Sequence, residues 1–123
     1  MKSAVPACAV MSLFLLVAQF AAADSRDIYF SADEAYSYAR RAYNSDNLDD
    51  LQYYARKAMY AAEEAISASV KIRAHYAEGC AQEVYNFARK AYRSDDFDEA
   101  QYYMQKCKSY AQDLMIAVQS IED

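Results

Sequence analysis

The chain has 123 residues, of which 18 are acidic and 13 basic, and its formal net charge is -5 at pH 7. This acidity argues against binding to nucleic acid or to an anionic membrane surface, because both carry negative phosphates that attract basic proteins. The sequence has one Gly, one Pro and 13 Tyr. Since Gly and Pro are the main interrupters of regular structure, their scarcity predicts an all-α protein.

Residues 1–23 have the layout of a secretory signal peptide. Lys2 provides a positive start, an apolar run follows over residues 4–20, and three alanines end the segment in the small-residue pattern that precedes cleavage. The apolar run is nearly long enough to span a bilayer, so the alternative is an uncleaved membrane anchor. We expect cleavage, and therefore an exported protein, periplasmic or secreted, without membrane attachment afterwards. Lys2 is the only charge in this segment, so the net charge then changes from -5 to -6.

The rest of the chain contains an internal repeat. The stretch from Tyr36 to Tyr54 returns, with residue numbers 49 higher, as the stretch from Tyr85 to Tyr103. Each copy has the pattern of a helix, a tight acidic turn and a second helix, and repeats of this kind are typical of stacked helical units. We therefore predict a flexible N-terminal segment over 24–30, a first helical hairpin over 31–78 and a second over 79–123.

In copy 1 the first helix is predicted over 32–44, where Ser31 and Glu34 have the spacing of a capping box. The turn at 45–47 consists of residues whose side chains bond nearby backbone. The second helix is predicted over 48–74, with acidic side chains in its first turn, where the helix dipole favours negative charge.

In copy 2 the helices are predicted over 81–93 and 97–121, and Gly79 is the expected stop of the helix that precedes them. The fourth helix carries apolar residues three and four apart, which predicts a buried seam; they are Phe97, Ala100, Met104, Cys107, Ala111, Leu114, Val118 and Ile121. The matching seam of copy 1 has smaller side chains, namely Leu48, Leu51, Ala55, Ala58, Ala62, Ala65, Ser69 and Ile72. Two such hairpins predict an antiparallel four-helix bundle.

The turn and last helix of copy 2 resemble a tetratricopeptide repeat. The resemblance rests on Asp95-Asp96-Phe97-Asp98-Glu99-Ala100-Gln101-Tyr102-Tyr103-Met104-Gln105-Lys106-Cys107. Ala88, Ala100 and Cys107 take the family's small positions; in copy 1 Ala39 and Ala58 fit, whereas Leu51 replaces a small residue. The repeat here is longer than the family's and lacks its closing Pro, so the resemblance implies helical hairpins rather than a superhelical peptide groove. The Tyr- and Ala-rich hairpin is also similar to small exported bacterial proteins of unknown function.

Two cysteines, Cys80 and Cys107, lie in copy 2 on either side of the turn at Asp95. They are 15 residues before and 12 residues after that turn, so antiparallel helices place them within about one helical turn of each other along the axis. Export places them in an oxidising compartment, where disulfides persist. We predict a disulfide between the third and fourth helices, with two buried thiols as the alternative.

The tyrosines that repeat as a pair are the best candidates for a contact surface, because Tyr offers a large amphipathic area at low entropic cost. They belong to the segments Gln52-Tyr53-Tyr54 and Gln101-Tyr102-Tyr103. We predict that these six residues bind a partner; the alternative is packing, with the hydroxyl groups at the surface.

The sequence lacks the residue sets that catalysis or cofactor binding requires. His75 is the only His, no Cys-x-x-Cys-His or Gly-rich phosphate loop occurs, and the acidic turns lack the central Gly and distal Glu of a calcium loop. We therefore predict no enzyme, no cofactor and no metal site. The expected function is a non-enzymatic interaction or structural module outside the cytoplasm, which binds a protein partner or self-associates through a Tyr-rich helical face. The alternative is a carrier of a small molecule or metal in the bundle interior.

Overall fold

The computed structural model describes residues 25–122, and the expected signal peptide and its cleavage site lie outside this range. The described residues form four helices: α1 over 25–43, α2 over Leu48–Lys71, α3 over His75–Tyr92 and α4 over Phe97–Glu122. No strand occurs within them. The prediction of an all-α helical bundle is confirmed, and α2 and α4 match their predicted bounds to within three residues.

The start of α1 differs from the prediction. Residues 25–31 are already helical, so Ser31 lies inside α1 rather than capping it, and residues 25–30 of the segment that we expected to be flexible are part of this helix. Ile28 explains the extension, because its side chain is completely buried and packs with Ala32 in the same cluster. Burial of this one apolar side chain stabilises nearly two further turns that the capping pattern alone does not indicate.

The end of α2 differs as well, because Gly79 does not stop this helix. Arg73 adopts the left-handed conformation, with φ 57°. Its N–H donates to the carbonyl of Val70 (3.2 Å), and the N–H of Ala74 donates to the carbonyl of Ser69 (2.9 Å). This is a Schellman motif in which Arg occupies the position that usually holds Gly. The prediction was therefore wrong about which residue ends the helix.

Gly79 instead lies inside α3, which starts at His75, six residues earlier than predicted. A Cβ added at this position meets no atom within 4 Å, so Gly79 is required neither for a turn nor for a close approach. Cys80 and Glu83, which stand 49 residues after Ser31 and Glu34, also lie in the body of this helix. As with α1, a buried residue in the added turn, Ala77, anchors the extension.

The acidic turns begin the second helix of each copy. Asn47 caps α2, because its Oδ1 accepts a hydrogen bond from the N–H of Asp50 (2.8 Å). Asp96, at the equivalent position of copy 2, accepts from the N–H of Asp98 (3.1 Å). Both turns therefore satisfy backbone groups that a helix start leaves free.

The core is built mainly of alanine, with larger apolar side chains at a few positions. The completely buried large side chains include Ile28, Leu51, Met104, Leu114, Val84 and Val118. Half-buried tyrosines pack around this alanine core and fill the space beside its small side chains; they are Tyr36, Tyr38, Tyr43, Tyr54, Tyr85, Tyr103 and Tyr110. In the predicted seam of α4, only Phe97 and Ile121 are not buried.

The four helices are arranged in a ring in chain order. α3 packs against both α2 and α4, whereas α2 and α4 touch at only a few positions. α1 closes the ring, because Tyr38 stacks on Tyr54 of α2 and the side chains of Gln101 and Lys108 from α4 contact Tyr43. The side of the ring formed by α1 and α2 (copy 1) is therefore opposite the side formed by α3 and α4 (copy 2).

Candidate functional site

Each copy carries one cluster of aromatic rings with a basic side chain at either end. Tyrosine cluster 1 consists of Tyr38, Tyr53 and Tyr54 with Arg41 and Lys57. Tyrosine cluster 2 consists of Phe87, Tyr102 and Tyr103 with Lys90 and Lys106. Every member of cluster 2 stands 49 residues after its counterpart in cluster 1. The four tyrosines predicted as partner-binding residues all belong to these clusters.

In cluster 1, Tyr38 of α1 stacks against Tyr54 of α2 with ring centroids 6.5 Å apart, and Tyr53 meets Tyr54 edge-on at 5.2 Å. The guanidinium of Arg41 lies 5.8 Å from the centroid of Tyr38, and the ammonium of Lys57 lies 5.4 Å from that of Tyr53. These distances suit attraction between a cation and an aromatic face. The rings and cations thus form one continuous row across the two helices.

Cluster 2 repeats this row with the same contacts. Phe87 lies 6.3 Å from Tyr103, which lies 5.9 Å from Tyr102. Lys90 is 5.1 Å from the ring of Phe87, and Lys106 is 5.7 Å from that of Tyr102. Each contact of cluster 1 therefore has a counterpart in cluster 2.

Cluster 2 has three additions that cluster 1 lacks. Lys90 lies 5.8 Å from the ring of Tyr103 as well as near that of Phe87. Tyr110 stacks on the other side of Phe87, with centroids 5.6 Å apart. The hydroxyl of Tyr103 donates to the carboxylate of Glu99 (3.0 Å), and this hydrogen bond raises the pKa of Tyr103 above its ordinary value. Tyr103 is therefore held in one orientation as a neutral donor.

The cluster cations are not neutralised by neighbouring acids. Within residues 25–122, the one pair of opposite charges closer than 4.0 Å is His75 with Glu78, at 3.9 Å. The basic groups of the clusters therefore rest on aromatic faces, where they keep most of their capacity for hydrogen bonding with a ligand.

The exposure of the tyrosines divides each cluster into a supporting ring and a presented ring. Tyr54 and Tyr103 are half-buried, whereas Tyr53 and Tyr102 are 50% and 53% exposed. Each exposed ring packs against the half-buried ring beside it. Tyr53 and Tyr102 are therefore more accessible from solvent than the rings against which they pack.

Gln52 and Gln101 have a different place from the one expected of contact residues. Both are half-buried, and both tie one copy to the other. Gln52 Nε2 donates to the carbonyl of Ser94 in the turn of copy 2 (2.8 Å), and Gln101 Nε2 donates to the carbonyl of Tyr43 in copy 1 (3.0 Å). The structure thus gives their amides an internal role, in which each side chain joins the two copies.

A groove lies beside each cluster, close to the acidic turn of its copy. Turn groove 1 has a volume of about 550 Å³ and is lined by Arg40 and Arg41 with Asp46 and Asp50. Turn groove 2 has a volume of about 510 Å³; its charged lining is Glu83, Arg89, Lys90, Arg93 and Glu99. Tyr54 borders the first groove and Tyr103 borders the second. The two grooves are therefore equivalent in position, but the second has one more basic group.

The predicted disulfide is not present in the structure. Cys80 and Cys107 are both free, buried thiols. Cys107 donates a long hydrogen bond to the carbonyl of Val84 (3.4 Å), which places it level with a residue one turn beyond Cys80. Cys80 instead belongs to the other of the two core clusters. The spacing from the turn thus predicted the helix pair correctly but not the register needed for a bond.

Burial makes both thiols weakly acidic. It raises the pKa of Cys107, which is completely buried, to about 12. It also raises the pKa of Cys80, with a further contribution from the negative charge of Asp113. Since the thiolate is the reactive form, neither side chain has the character of a nucleophile.

The same residues bear on metal binding and on membrane insertion. Within 25–122, no three His, Cys, Asp or Glu side chains come together as a group that could hold a metal ion. No helix in this range is both long enough and apolar enough to cross a membrane. Comparisons with protein-family models, with curated proteins and with solved structures found no match.

Sequence reasoning found the tyrosine pairs but missed their basic neighbours. Lys57 and Lys106 follow Tyr53 and Tyr102 by four residues, and side chains at this spacing lie on one face of a helix. This signal was readable in the sequence. The contact of Tyr54 with Tyr38 was not, because it depends on how α1 packs against α2.

Proposed function

We propose that this protein is a non-enzymatic interaction module that binds a protein partner through tyrosine clusters 1 and 2. The observation that supports this most directly is the repetition of one half-exposed arrangement of rings and cations on both copies. Tyr, which provides the exposed ring of both clusters, is enriched among the residues that contribute most to binding at protein interfaces.

The surroundings of Tyr53 and Tyr102 favour binding. Each ring is already restrained by an aromatic neighbour and by a lysine one turn further along the helix. Ordering a mobile side chain at an interface costs about 0.5–1.5 kcal/mol, so rings that are restrained before contact bind with a smaller loss of entropy. The adjoining turn grooves offer charged side chains that fix the orientation of a bound segment.

The opposite placement of the two copies supports a bridging role. Cluster 1 lies on the side of α1 and α2, and cluster 2 on the side of α3 and α4. A small globular partner on one side does not reach the other, so the protein binds two partner molecules, or two segments of one long partner. Such bivalency raises the overall affinity for a multivalent target without any new contact.

The setting of this function is also part of the proposal. The sequence of residues 1–23 supports export to the periplasm or the exterior. Connections of three or four residues between helices that pack along their lengths support an antiparallel pair of tandem hairpins of the tetratricopeptide type.

A photo-cross-linking amino acid placed at residue 53, 102 or 76 in the native host tests this function. Tyr76 is the matched control, because it is 72% exposed but lies outside both clusters. We expect positions 53 and 102 to cross-link the same partner, identified by mass spectrometry, and position 76 to cross-link much less of it.

Replacing the supporting tyrosines, Tyr54→Ala and Tyr103→Ala, should reduce the cross-linking yield from positions 53 and 102. The exposed rings at these positions then lose the rings against which they pack. Different partners at 53 and 102, or an equal yield at 76, contradict the proposal of equivalent sites. A cross-linked dimer of the chain itself identifies self-association through the same face.

A further inference from the structure

A second kind of groove lies on the copy 1 side, at the ends of α1 and α2 that are remote from their connecting turn. This acidic groove has a volume of about 720 Å³, and three carboxylates, those of Asp27, Glu63 and Glu64, line it together with one basic group, Lys71. Two aromatic rings stand beside them: Phe30 is 65% exposed and Tyr60 is 54% exposed. Two exposed rings that adjoin one groove are a feature of interaction surfaces.

The polar groups of the acidic groove have few partners within the protein. None of its three carboxylates makes an ion pair with a described residue. Ser31 also lines the groove, and only 7% of its surface is exposed. Its hydroxyl makes no side-chain hydrogen bond with any residue in 25–122. Carboxylates next to aromatic faces, with a hydroxyl group below, form a site for a cation that can also stack.

The copy 2 side carries a pair of arginines whose charge is opposite to that of the carboxylates in the acidic groove. Arg89 lies in the last turn of α3, and Arg93 caps the end of this helix four residues later, so the two side chains leave the helix end on the same side. Both are exposed, both line turn groove 2, and neither pairs with a carboxylate or rests on a ring among the described residues. They are therefore free to bind an acidic surface.

Each of these features exists once, because the two copies have diverged at the positions that form it. The counterparts of Phe30 and Tyr60 in copy 2 are Gly79 and Ser109, so copy 2 has no aromatic acidic groove. The counterpart of Arg93 in copy 1 is Asn44, so copy 1 has no arginine pair. Divergence has thus produced one acidic surface and one basic surface on opposite sides of the ring.

We propose that the acidic groove holds the Arg89 and Arg93 edge of a second copy of this chain. A planar guanidinium group binds a carboxylate through two hydrogen bonds and stacks on an aromatic ring, and the groove offers both. Because the two surfaces differ and face opposite ways, the contact is head to tail, and successive copies form an open chain. This assembly shares the arginines of turn groove 2 with the proposed function, but it uses neither Tyr53 nor Tyr102.

Charge exchange tests this assembly by sedimentation velocity over a range of protein concentrations. One variant carries Glu63→Lys with Glu64→Lys, and the other carries Arg89→Glu with Arg93→Glu. All four side chains are exposed, so both variants should keep their helical circular dichroism. We expect the original protein to associate at low ionic strength and to dissociate as salt is added. Each variant alone should be monomeric, and an equimolar mixture of the two should associate again.

The control is Asp33→Lys with Glu34→Lys, which changes the net charge equally at exposed positions outside both surfaces. It should associate like the original protein. The assembly is refuted if the original protein stays monomeric at low salt, if the single variants associate normally, or if their mixture does not. A monomer that binds a basic peptide through Glu63 and Glu64 also refutes it and assigns the groove to a basic partner. Tyr53→Ala with Tyr102→Ala should leave the assembly unchanged, which separates its failure from failure of the proposed function.

Discussion

The two copies differ in their interior and agree on part of their surface. Leu51 of copy 1 corresponds to Ala100, whereas Ala55 and Ala65 correspond to Met104 and Leu114. All these positions are completely buried. A large side chain in one copy therefore accompanies a small one in the other, as a shared core requires when only the total volume is fixed.

The tyrosine clusters show the opposite behaviour. The pairs Tyr53/Tyr102, Tyr54/Tyr103 and Lys57/Lys106 are identical, and the rings and cations of α1 and α3 are of the same kind. The exposed rings of these clusters contribute less to the core than the seam residues do. Packing alone therefore does not explain why the clusters are repeated. For this physical reason the clusters are better candidates for a functional site than the interior is.

The largest effect is expected from removing a bulky seam residue of copy 2. Met104→Ala should lower the free energy of unfolding by about 3 kcal/mol, because the completely buried side chain leaves a cavity. Denaturant unfolding measures the loss. The control Met115→Ala, at a half-buried position on the same helix, should cost clearly less.

Exchanging the two side chains sharpens this test of a shared core. Met104→Ala combined with Ala55→Met restores the total volume, so part of the lost stability should return if the copies fill one common space. A double variant that is less stable than Met104→Ala alone contradicts this interpretation and shows that each seam packs separately.

A second effect depends on pH and comes from Cys107, whose counterpart in copy 1 is Ala58. Burial raises the pKa of this thiol from 9.0 to about 12, so the folded protein favours the neutral form. The neutral thiol therefore stabilises the folded protein fully below pH 9. This stabilisation is lost as the pH rises from 9 towards 12, because the thiol of the unfolded chain ionises first.

The measurement compares the original protein with Cys107→Ala, which places the residue of copy 1 in copy 2. The difference in unfolding free energy should be constant below pH 9 and should shrink above it. Alkylation followed by mass spectrometry gives a second readout, because Cys80 is 8% exposed and should react before Cys107. Equal rates of modification would show that the interior of copy 2 opens more easily than its packing indicates.

The same contrast shows how much of the structure could be read from the sequence. The seams of α2 and α4 follow helical periodicity, so their bounds and buried residues were predictable. The first turns of α1 and α3 were not, because they are stabilised by burial of Ile28 and Ala77 against other helices. The tyrosine pairs could be found, but the contacts that orient them join different helices and depend on packing.

A smaller effect is expected from the two amide ties. Gln52→Ala and Gln101→Ala should each lower the free energy of unfolding by about 1 kcal/mol, the usual net value of such a hydrogen bond. Because the ties are equivalent and lie between the same copies, the two losses should be similar. A double-mutant cycle in denaturant measures whether they add, and a much larger loss for one of them contradicts the equivalence of the copies.

The last effect, similar in size but opposite in sign, concerns Gly79, whose counterpart in copy 1 is Phe30. Gly79 lies in the interior of α3 with free space around it, so Gly79→Ala should raise the free energy of unfolding by about 1 kcal/mol. Phe30→Ala is the matched control at the equivalent position, and we expect a smaller change because neither residue is Gly. Thermal unfolding distinguishes the two. The result also decides where α3 begins: if Gly79 were instead the stop of α2, in the left-handed conformation suggested by the sequence, Ala at this position would destabilise the protein.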